Sequence, residues 1–332
     1  MTPTRLRWGV LSTANIGRAA VNPAIQGSRN GELLAVASRD AERARAFAAR
    51  WNIPRHYASY EALLDDPDVQ ALYVPLPNSL HRDWTIRAAE KGKHVLCEKP
   101  LALSAAECRE MAAAADSNRV RLMEAFMYRF HPRTESVVEG TRRGGLGVLR
   151  SIRSAFTFRL SRPENIRLRP ELGGGALMDV GCYCVNVSRT LAGTEPVEVQ
   201  AWAAWGPSGV DVELMGALRF EDGLLAHFDC ALTLERREMY EAAGTEVCLS
   251  VESAFLPGTG EVAVLERRGG EERRHLVPGA DEYRLMVEHF GDSVLLDQPL
   301  RYPASEAAAN MAVIEALYRS ARDGGRPVAP RT

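Results

Sequence analysis

The sequence predicts an α/β protein: a doubly wound parallel sheet in the N-terminal part, then an α+β part built on a large, mostly antiparallel open sheet. Three observations carry this expectation. Short apolar runs alternate with helical stretches through the first 128 residues, the pattern of parallel strands joined by crossover helices. Beyond that point β-type runs follow one another with few helices between them. The 332 residues also exceed one ordinary core, so two domains are expected, 1–128 and 129–332.

Arg7-Trp8-Gly9-Val10-Leu11 is the first strand, and Ser12-Thr13-Ala14-Asn15-Ile16-Gly17 turns into a helix over 18–25. The second strand covers 32–37 and ends at Ser38-Arg39-Asp40. The turn aligns with G-x-G-x-x-G as Ser12-x-Ala14-x-x-Gly17, so two of its three glycines are replaced. Small side chains still admit a pyrophosphate, which backbone N–H groups and the helix dipole would favour, as in a Rossmann dinucleotide site. Alone, the turn has the alternative of an ordinary strand–helix connection. The second strand's end then selects the cofactor. An acid there binds the ribose 2′-hydroxyl of NAD, whereas an arginine suits the 2′-phosphate of NADP. Ser38 and Arg39 favour NADP over NAD. Asp40 comes one residue late and can cap the helix over 41–51, and Arg39 has the alternative of a solvated surface cation.

The alternation continues with a short helix at 61–66, a strand at 69–74, a helix at 81–91, a strand at 95–97, a helix at 105–116 capped by Ser104, and a strand at 121–125. Ligands of such sheets lie beyond the carboxyl ends of the strands. Ser12, Thr13, Ala14, Asn15, Ile16, Ser38, Arg39, Leu76, Pro77, Asn78, His81, Glu98, Lys99, Met127 and Arg129 occupy or border those ends and are the expected cofactor contacts.

In the second half a helix is expected at 133–143, with β-type runs at 148–160, 197–205, 212–219, 224–234, 246–251, 261–266 and 273–277. Asp222-Gly223 and Gly269-Gly270 mark hairpin turns. Helices at 175–191 and 282–296 should cover one face of this sheet, and a C-terminal helix at 305–322 should pack on the body. Trp202, Ala204, Leu218, Phe220, Phe228 and Leu232 read as the other face, which would be hidden in a homodimer.

Lys plus Arg number 41 against 43 Asp plus Glu, a net charge of −2, so no basic surplus marks a nucleic-acid groove. No apolar run reaches the roughly eighteen residues that a bilayer span requires. The N-terminus shows no secretory pattern, so the cytoplasm is the expected compartment. Six scattered cysteines read as reduced, buried side chains rather than disulfides, and no metal-ligand spacing is present.

Two segments carry the chemistry. Glu98-Lys99-Pro100 places an amine at the end of the apolar strand Lys93-His94-Val95-Leu96. Gly173-Gly174-Gly175-Ala176-Leu177-Met178-Asp179-Val180-Gly181-Cys182-Tyr183 offers a phenol four residues after a carboxylate, behind glycines that allow another group to approach the backbone closely. An amine, a carboxylate and a phenol in one pocket would form a proton-transfer apparatus for a hydroxyl or carbonyl.

With Pro77-Asn78-x-x-His81 and Glu124-Ala125-Phe126-Met127-Tyr128-Arg129-Phe130-His131-Pro132, these segments resemble the family of glucose–fructose oxidoreductase and inositol dehydrogenase over nearly the whole chain. The branch most similar holds glucose–fructose oxidoreductase, NADP-dependent xylose dehydrogenases and dihydrodiol dehydrogenases. The resemblance implies hydride transfer between NADP and a hydroxyl-bearing carbon of a sugar or cyclic polyol. It implies Lys99 beside the nicotinamide ribose, Tyr183 as the proton-transferring group, Asp179 holding substrate, Glu98 beside the nicotinamide, and a cis Lys99–Pro100 peptide. Phe158, with Phe156 and Arg159, is an expected pocket wall. Each residue has a plainer alternative: Tyr183 a core tyrosine, Asp179 a helix cap, Glu98 an ion-pair partner, His81 a helix-start residue, and Arg129 and His131 structural groups. Two alternatives to a dehydrogenase are a sugar–sugar transhydrogenase that retains its nucleotide, disfavoured by the short segment before the first strand, and a non-catalytic nucleotide sensor.

Overall fold

The computed structural model describes residues 5–162 and 164–331. They fold into two compact units, one of Met1–Met127 with Asp281–Ala308, the other of Tyr128–Ala280 with Ala309–Thr332. The chain thus returns to its first unit late, which a division into two consecutive blocks does not provide for.

The first unit holds a six-stranded sheet, all parallel, in the order β3-β2-β1-β4-β5-β6. The strands are β1 (Leu6–Leu11), β2 (Gly31–Ala37), β3 (Arg55–Tyr57), β4 (Ala71–Val74), β5 (His94–Cys97) and β6 (Leu122–Glu124). The helices between them are α1 (Asn22–Gly27), α2 (Ala41–Arg50), α3 (Tyr60–Leu64), α4 (His81–Glu90) and α5 (Ala105–Ser117). Strand order reverses between β1 and β4, and the crevice beyond the carboxyl ends at such a switch point is where these sheets bind ligands. Continuous burial of β4, and of β1 apart from Arg7, reflects helices on both faces.

Helix α8 (Glu282–Leu295) belongs to this unit, not to the second sheet as the sequence suggested. Its Phe290 ring lies 5.2 Å from the Trp8 ring of β1. Gly291 is what allows the approach, because a Cβ there would stand 2.6 Å from the Asn30 amide nitrogen. That amide donates to the Glu288 carbonyl at 2.8 Å and to Asp292 Oδ1 at 2.9 Å. Amphipathicity told that α8 is half-buried, not what buries it.

After α6 (Pro132–Arg142), the second unit holds an eight-stranded sheet in the order β14-β13-β12-β11-β7-β10-β9-β8. Its strands are β7 (Leu149–Thr157), β8 (Glu198–Trp205), β9 (Asp211–Arg219), β10 (Leu225–Ala231), β11 (Arg237–Gly244), β12 (Val247–Glu252), β13 (Val262–Arg268) and β14 (Glu271–Val277). Only β7 and β10 pair in parallel. Helix α7 (Cys182–Ala192) and the later turns of α9 (Ala304–Arg322) pack on one face. There Gly181 admits the Cys230 thiol, and Gly216 admits the Phe228 ring beside Leu317.

The faces of this sheet differ from the expected assignment. Leu218, Phe220, Phe228 and Leu232 are buried inside the chain, where burial of each such side chain contributes roughly 2 kcal/mol. The outward face carries Trp202 (53 % exposed), Met215 (59 %) and Leu225 (55 %), with Trp202 and Met215 directly paired across β8 and β9. Among the described residues no helix is long and apolar enough to cross a membrane.

Candidate functional site

In the first unit the site begins where β1 ends. Ser12 adopts a φ of 112°, a backbone region that L-residues rarely enter and that typically costs about 1–3 kcal/mol. Its hydroxyl donates to the Pro75 carbonyl at 3.2 Å and accepts from Ala14 N at 3.2 Å. Ser12 thus holds a glycine's backbone conformation with a side chain that braces the turn. Thr13, Ala14 and Ile16 are half-buried and Asn15 is exposed at the start of the helix. A π turn (Gly17–Val21) follows before α1, a distortion frequent at functional sites.

At the end of β2, Asp40 is committed to capping α2, its Oδ1 accepting from Arg43 N at 3.0 Å. Asp40 N in turn donates to Ser38 Oγ at 3.2 Å. Arg39 is exposed. Burial pushes the Tyr60 phenol up, and Arg39 and then Arg43 oppose that shift, so two guanidinium groups stand near one ring. Arg43 is a cation the sequence reading missed.

At the end of β5, the Tyr73 hydroxyl donates to Glu98 Oε1 at 2.6 Å, and Lys99 N donates to Glu98 Oε2 at 3.3 Å. Leu101 N donates to Glu124 Oε1 at 2.7 Å. The Lys99–Pro100 peptide is cis. Lys99 and Glu98 are half-buried, as are Pro77 and Asn78, while Leu76 is buried. His81, expected among the cofactor contacts, is fully buried. Its ring nitrogens lie 2.9 Å from the Pro100 carbonyl oxygen and 2.8 Å from that of Leu76, so it braces two loops instead of facing a ligand. Desolvation holds its pKa below the usual imidazole range. Met127 and Arg129 are likewise buried.

In the second unit Gly174 and Gly175 have separate tasks. A Cβ on Gly174 would stand 2.4 Å from the Arg167 carbonyl oxygen, and one on Gly175, with φ 121°, would stand 2.1 Å from Asp211 Oδ1. Gly175 N donates to the Arg167 carbonyl at 2.9 Å. Asp211 Oδ2 accepts from Leu177 N at 2.6 Å, and its Oδ1 accepts from the Tyr318 hydroxyl at 2.7 Å. Burial pushes this carboxyl up to about 6, against the pull of those bonds and of Arg322. The anchored backbone runs into a second π turn (Leu177–Gly181) that carries Asp179, then into α7 with Tyr183.

Asp179 lies inside the helix instead of capping it, and its Oδ2 accepts from Arg167 Nε at 2.5 Å. The Arg167 guanidinium also lies 5.8 Å over the half-buried Phe158 ring. Asp179 first, then Tyr183, hold Arg167 charged against desolvation. The Tyr183 ring is set among Phe255 at 5.3 Å, Phe156 at 5.4 Å and Tyr128 at 5.8 Å. Tyr128 is fixed in turn by donating to Asn186 Oδ1 at 2.6 Å. Phe156 thus belongs to the clamp on Tyr183, and Arg159 is exposed. His131 is structural: fully buried, it accepts from Arg133 N at 3.1 Å as the cap of α6, with its pKa pushed by burial down to about 4. Arg167 was not anticipated, although its place just before the glycines was the available signal. Among the described residues no group of three or more His, Cys, Asp or Glu side chains could hold a metal ion.

A doubly wound parallel sheet with a braced turn after its first strand, followed by a unit bearing a helical carboxylate and phenol, defines an oxidoreductase of the dinucleotide-binding class. Residues 6–126 match the oxidoreductase family with an NAD-binding Rossmann fold, and residues 136–250 match the GFO/IDH/MocA C-terminal domain. The chain belongs to this GFO/IDH/MocA family. It is 39 % identical over 321 residues to D-xylose 1-dehydrogenase (NADP(+)) 2 of Haloferax volcanii, covering 96 % of this chain and 98 % of that protein. Aldose–aldose oxidoreductase from Caulobacter crescentus, solved with glycerol, superposes with a TM-score of 0.91 at 29 % identity, covering 98 % and 99 % of the two chains. A 3-ketoreductase from Actinomadura kijaniata, solved with NADP and TDP-benzene, gives 0.91 at 28 %, covering 96 % and 98 %.

Proposed function

We propose that this protein is an NADP-dependent dehydrogenase of sugars or related cyclic polyols, oxidising a carbinol such as C1 of an aldose. The observation that carries the reading is the pairing, on one helix, of a carboxylate held by Arg167 with a phenol clamped by three aromatic rings. The match to an NADP-dependent xylose dehydrogenase supports both the substrate class and the cofactor.

The first unit's residues fit the dinucleotide. The turn at Ser12 and the helix start after it suit a pyrophosphate, and Arg39, with Asp40 engaged in a cap, suits a 2′-phosphate. When bound, NADP would supply the hydride acceptor for the carbinol carbon. Tyr183 takes the hydroxyl proton as the C=O bond forms. Lys99 is the amine that would orient the ribose oxygens, and Asp179 would accept a hydrogen bond from substrate. Tyr183→Phe should lose about 100-fold or more in turnover while keeping NADPH binding, read by nucleotide fluorescence. Near-normal turnover in that variant would remove Tyr183 from the chemistry.

A sugar–sugar transhydrogenase is the second reading, favoured by the aldose–aldose oxidoreductase likeness. Nucleotide that stays bound through extensive dialysis would select it. The outward row Trp202, Met215 and Leu225 supports a homodimer through the second sheet, and six free thiols, five of them buried, fit the reducing cytoplasm.

A further inference from the structure

We infer that Arg167 is a positioning residue of this reaction: it fixes the Asp179 carboxylate and offsets its charge beside Tyr183, so that the phenol can ionise within the second unit's own field. The inference rests on the reading of Tyr183 as the proton acceptor.

Four observations place Arg167 in that role. Its Nε donates to Asp179 Oδ2 at 2.5 Å, a charge-assisted bond that sets the carboxylate's direction. Its backbone is stapled to the helix start, because the Arg167 carbonyl accepts from Gly175 N at 2.9 Å and Gly174 leaves no Cβ in the way. The Phe158 ring beneath the guanidinium and the Asn165 side chain, whose Oδ1 accepts from Arg167 N at 3.0 Å, restrict it further. Finally, the guanidinium is held charged by Asp179 and also by the Tyr183 oxygen, so the three groups share one electrostatic neighbourhood.

The charge arithmetic assigns the function. A carboxylate four residues before a tyrosine on the same helix opposes phenolate formation, since two negative charges then face each other. Asp179 is therefore useful for holding a substrate hydroxyl and harmful to the base beside it. A cation locked to that carboxylate removes the conflict and keeps both oxygens oriented. The segment 165–175, with its two short 3-10 turns Ile166–Leu168 and Pro170–Leu172, is on this view a support for α7.

The test compares Arg167→Gln and Arg167→Lys with the unaltered protein. Ultraviolet difference titration of tyrosinate against Tyr183→Phe isolates the Tyr183 transition without any turnover. Arg167→Gln should move that transition up by about one pH unit, and move the limb on which kcat/KM rises with pH by the same amount, a loss of about tenfold at neutral pH. Arg167→Lys, which keeps the charge and loses the Nε bond, should keep the limb near its place while raising KM. Adding Asp179→Asn to Arg167→Gln should return the tyrosinate transition toward its original position, because the carboxylate's charge is gone. If Arg167→Gln binds NADPH and melts normally yet leaves both the transition and the limb where they were, the inference fails. If Tyr183→Phe turns over normally, the parent reading fails instead.

Discussion

Gly175 lies so close to Asp211 that no side chain could stand between them: its Cβ would meet the carboxylate oxygen at 2.1 Å. That oxygen is the one that accepts from Tyr318, and its partner oxygen holds Leu177 N at the start of the helix bearing Asp179 and Tyr183. The last glycine of the triplet therefore lets a buried acid anchor the helix bearing Asp179 and Tyr183 to the C-terminal one.

Gly175→Ala should displace that acid and force alanine into a φ of 121°. We expect a loss of about 3 kcal/mol in unfolding free energy, measured by urea denaturation, with a larger loss of turnover than of stability. Asp211→Ala should destabilise by about 2 kcal/mol through the unpaired Leu177 N.

Asp211 and His131 should tilt the pH dependence of stability in opposite senses. The Asp211 carboxyl is near 6 in the fold against 3.8 when unfolded, so the folded state takes up the extra proton and this group adds stability as pH falls through about 6 toward 4. His131 is near 4 in the fold against 6.5 unfolded, with Arg133 adding to burial, so the unfolded state takes the proton and stability is lost as pH falls below 6.5. Each window is worth up to roughly 3 kcal/mol. Between neutral pH and about pH 5, Asp211→Asn should lose stability more steeply than the native chain, and His131→Asn, which can still cap, less steeply. Parallel curves for all three proteins would refute both assignments.

Arg39→Ala should raise KM for NADP by about 10–100-fold and leave KM for NAD nearly unchanged. Equal KM values for NADP before and after the substitution would make Arg39 a solvated cation.

Met215→Lys puts a charge at the centre of the outward apolar row, opposite Trp202. Light scattering should then report a dimer for the native chain and a monomer for the variant. A monomeric native chain would sink the dimer reading at once.

The parallel sheet was legible because five of its six strands lie in short apolar runs between helices, a pattern with few alternatives. Two strands escaped. β3 has three residues, too few for any period. β11 reads Arg-Glu-Met-Tyr-Glu-Ala-Ala-Gly, a composition that favours helix, and becomes a strand because β7 and β12 flank it and bury Tyr240 and Ala242. Alternation gave the two faces of β9 and β10 but not which one the helices cover. Lys99, Asp179 and Tyr183 stood out as candidates in the sequence because the proposed chemistry depends on residue type. Arg167 did not, since it sits in a 3-10 turn of three residues (Ile166–Leu168), too short for any period to show in the sequence. His81 was misjudged for a related reason: a motif gives proximity to a ligand, not whether the ring faces it.

The packing of Phe290 on Trp8 has a consequence for synthesis on the ribosome. N-terminal domains commonly fold as soon as they emerge. Here the first strand must wait for a helix encoded some 280 residues later, so the nascent sheet leaves the exit tunnel with one apolar flank uncovered until that helix follows.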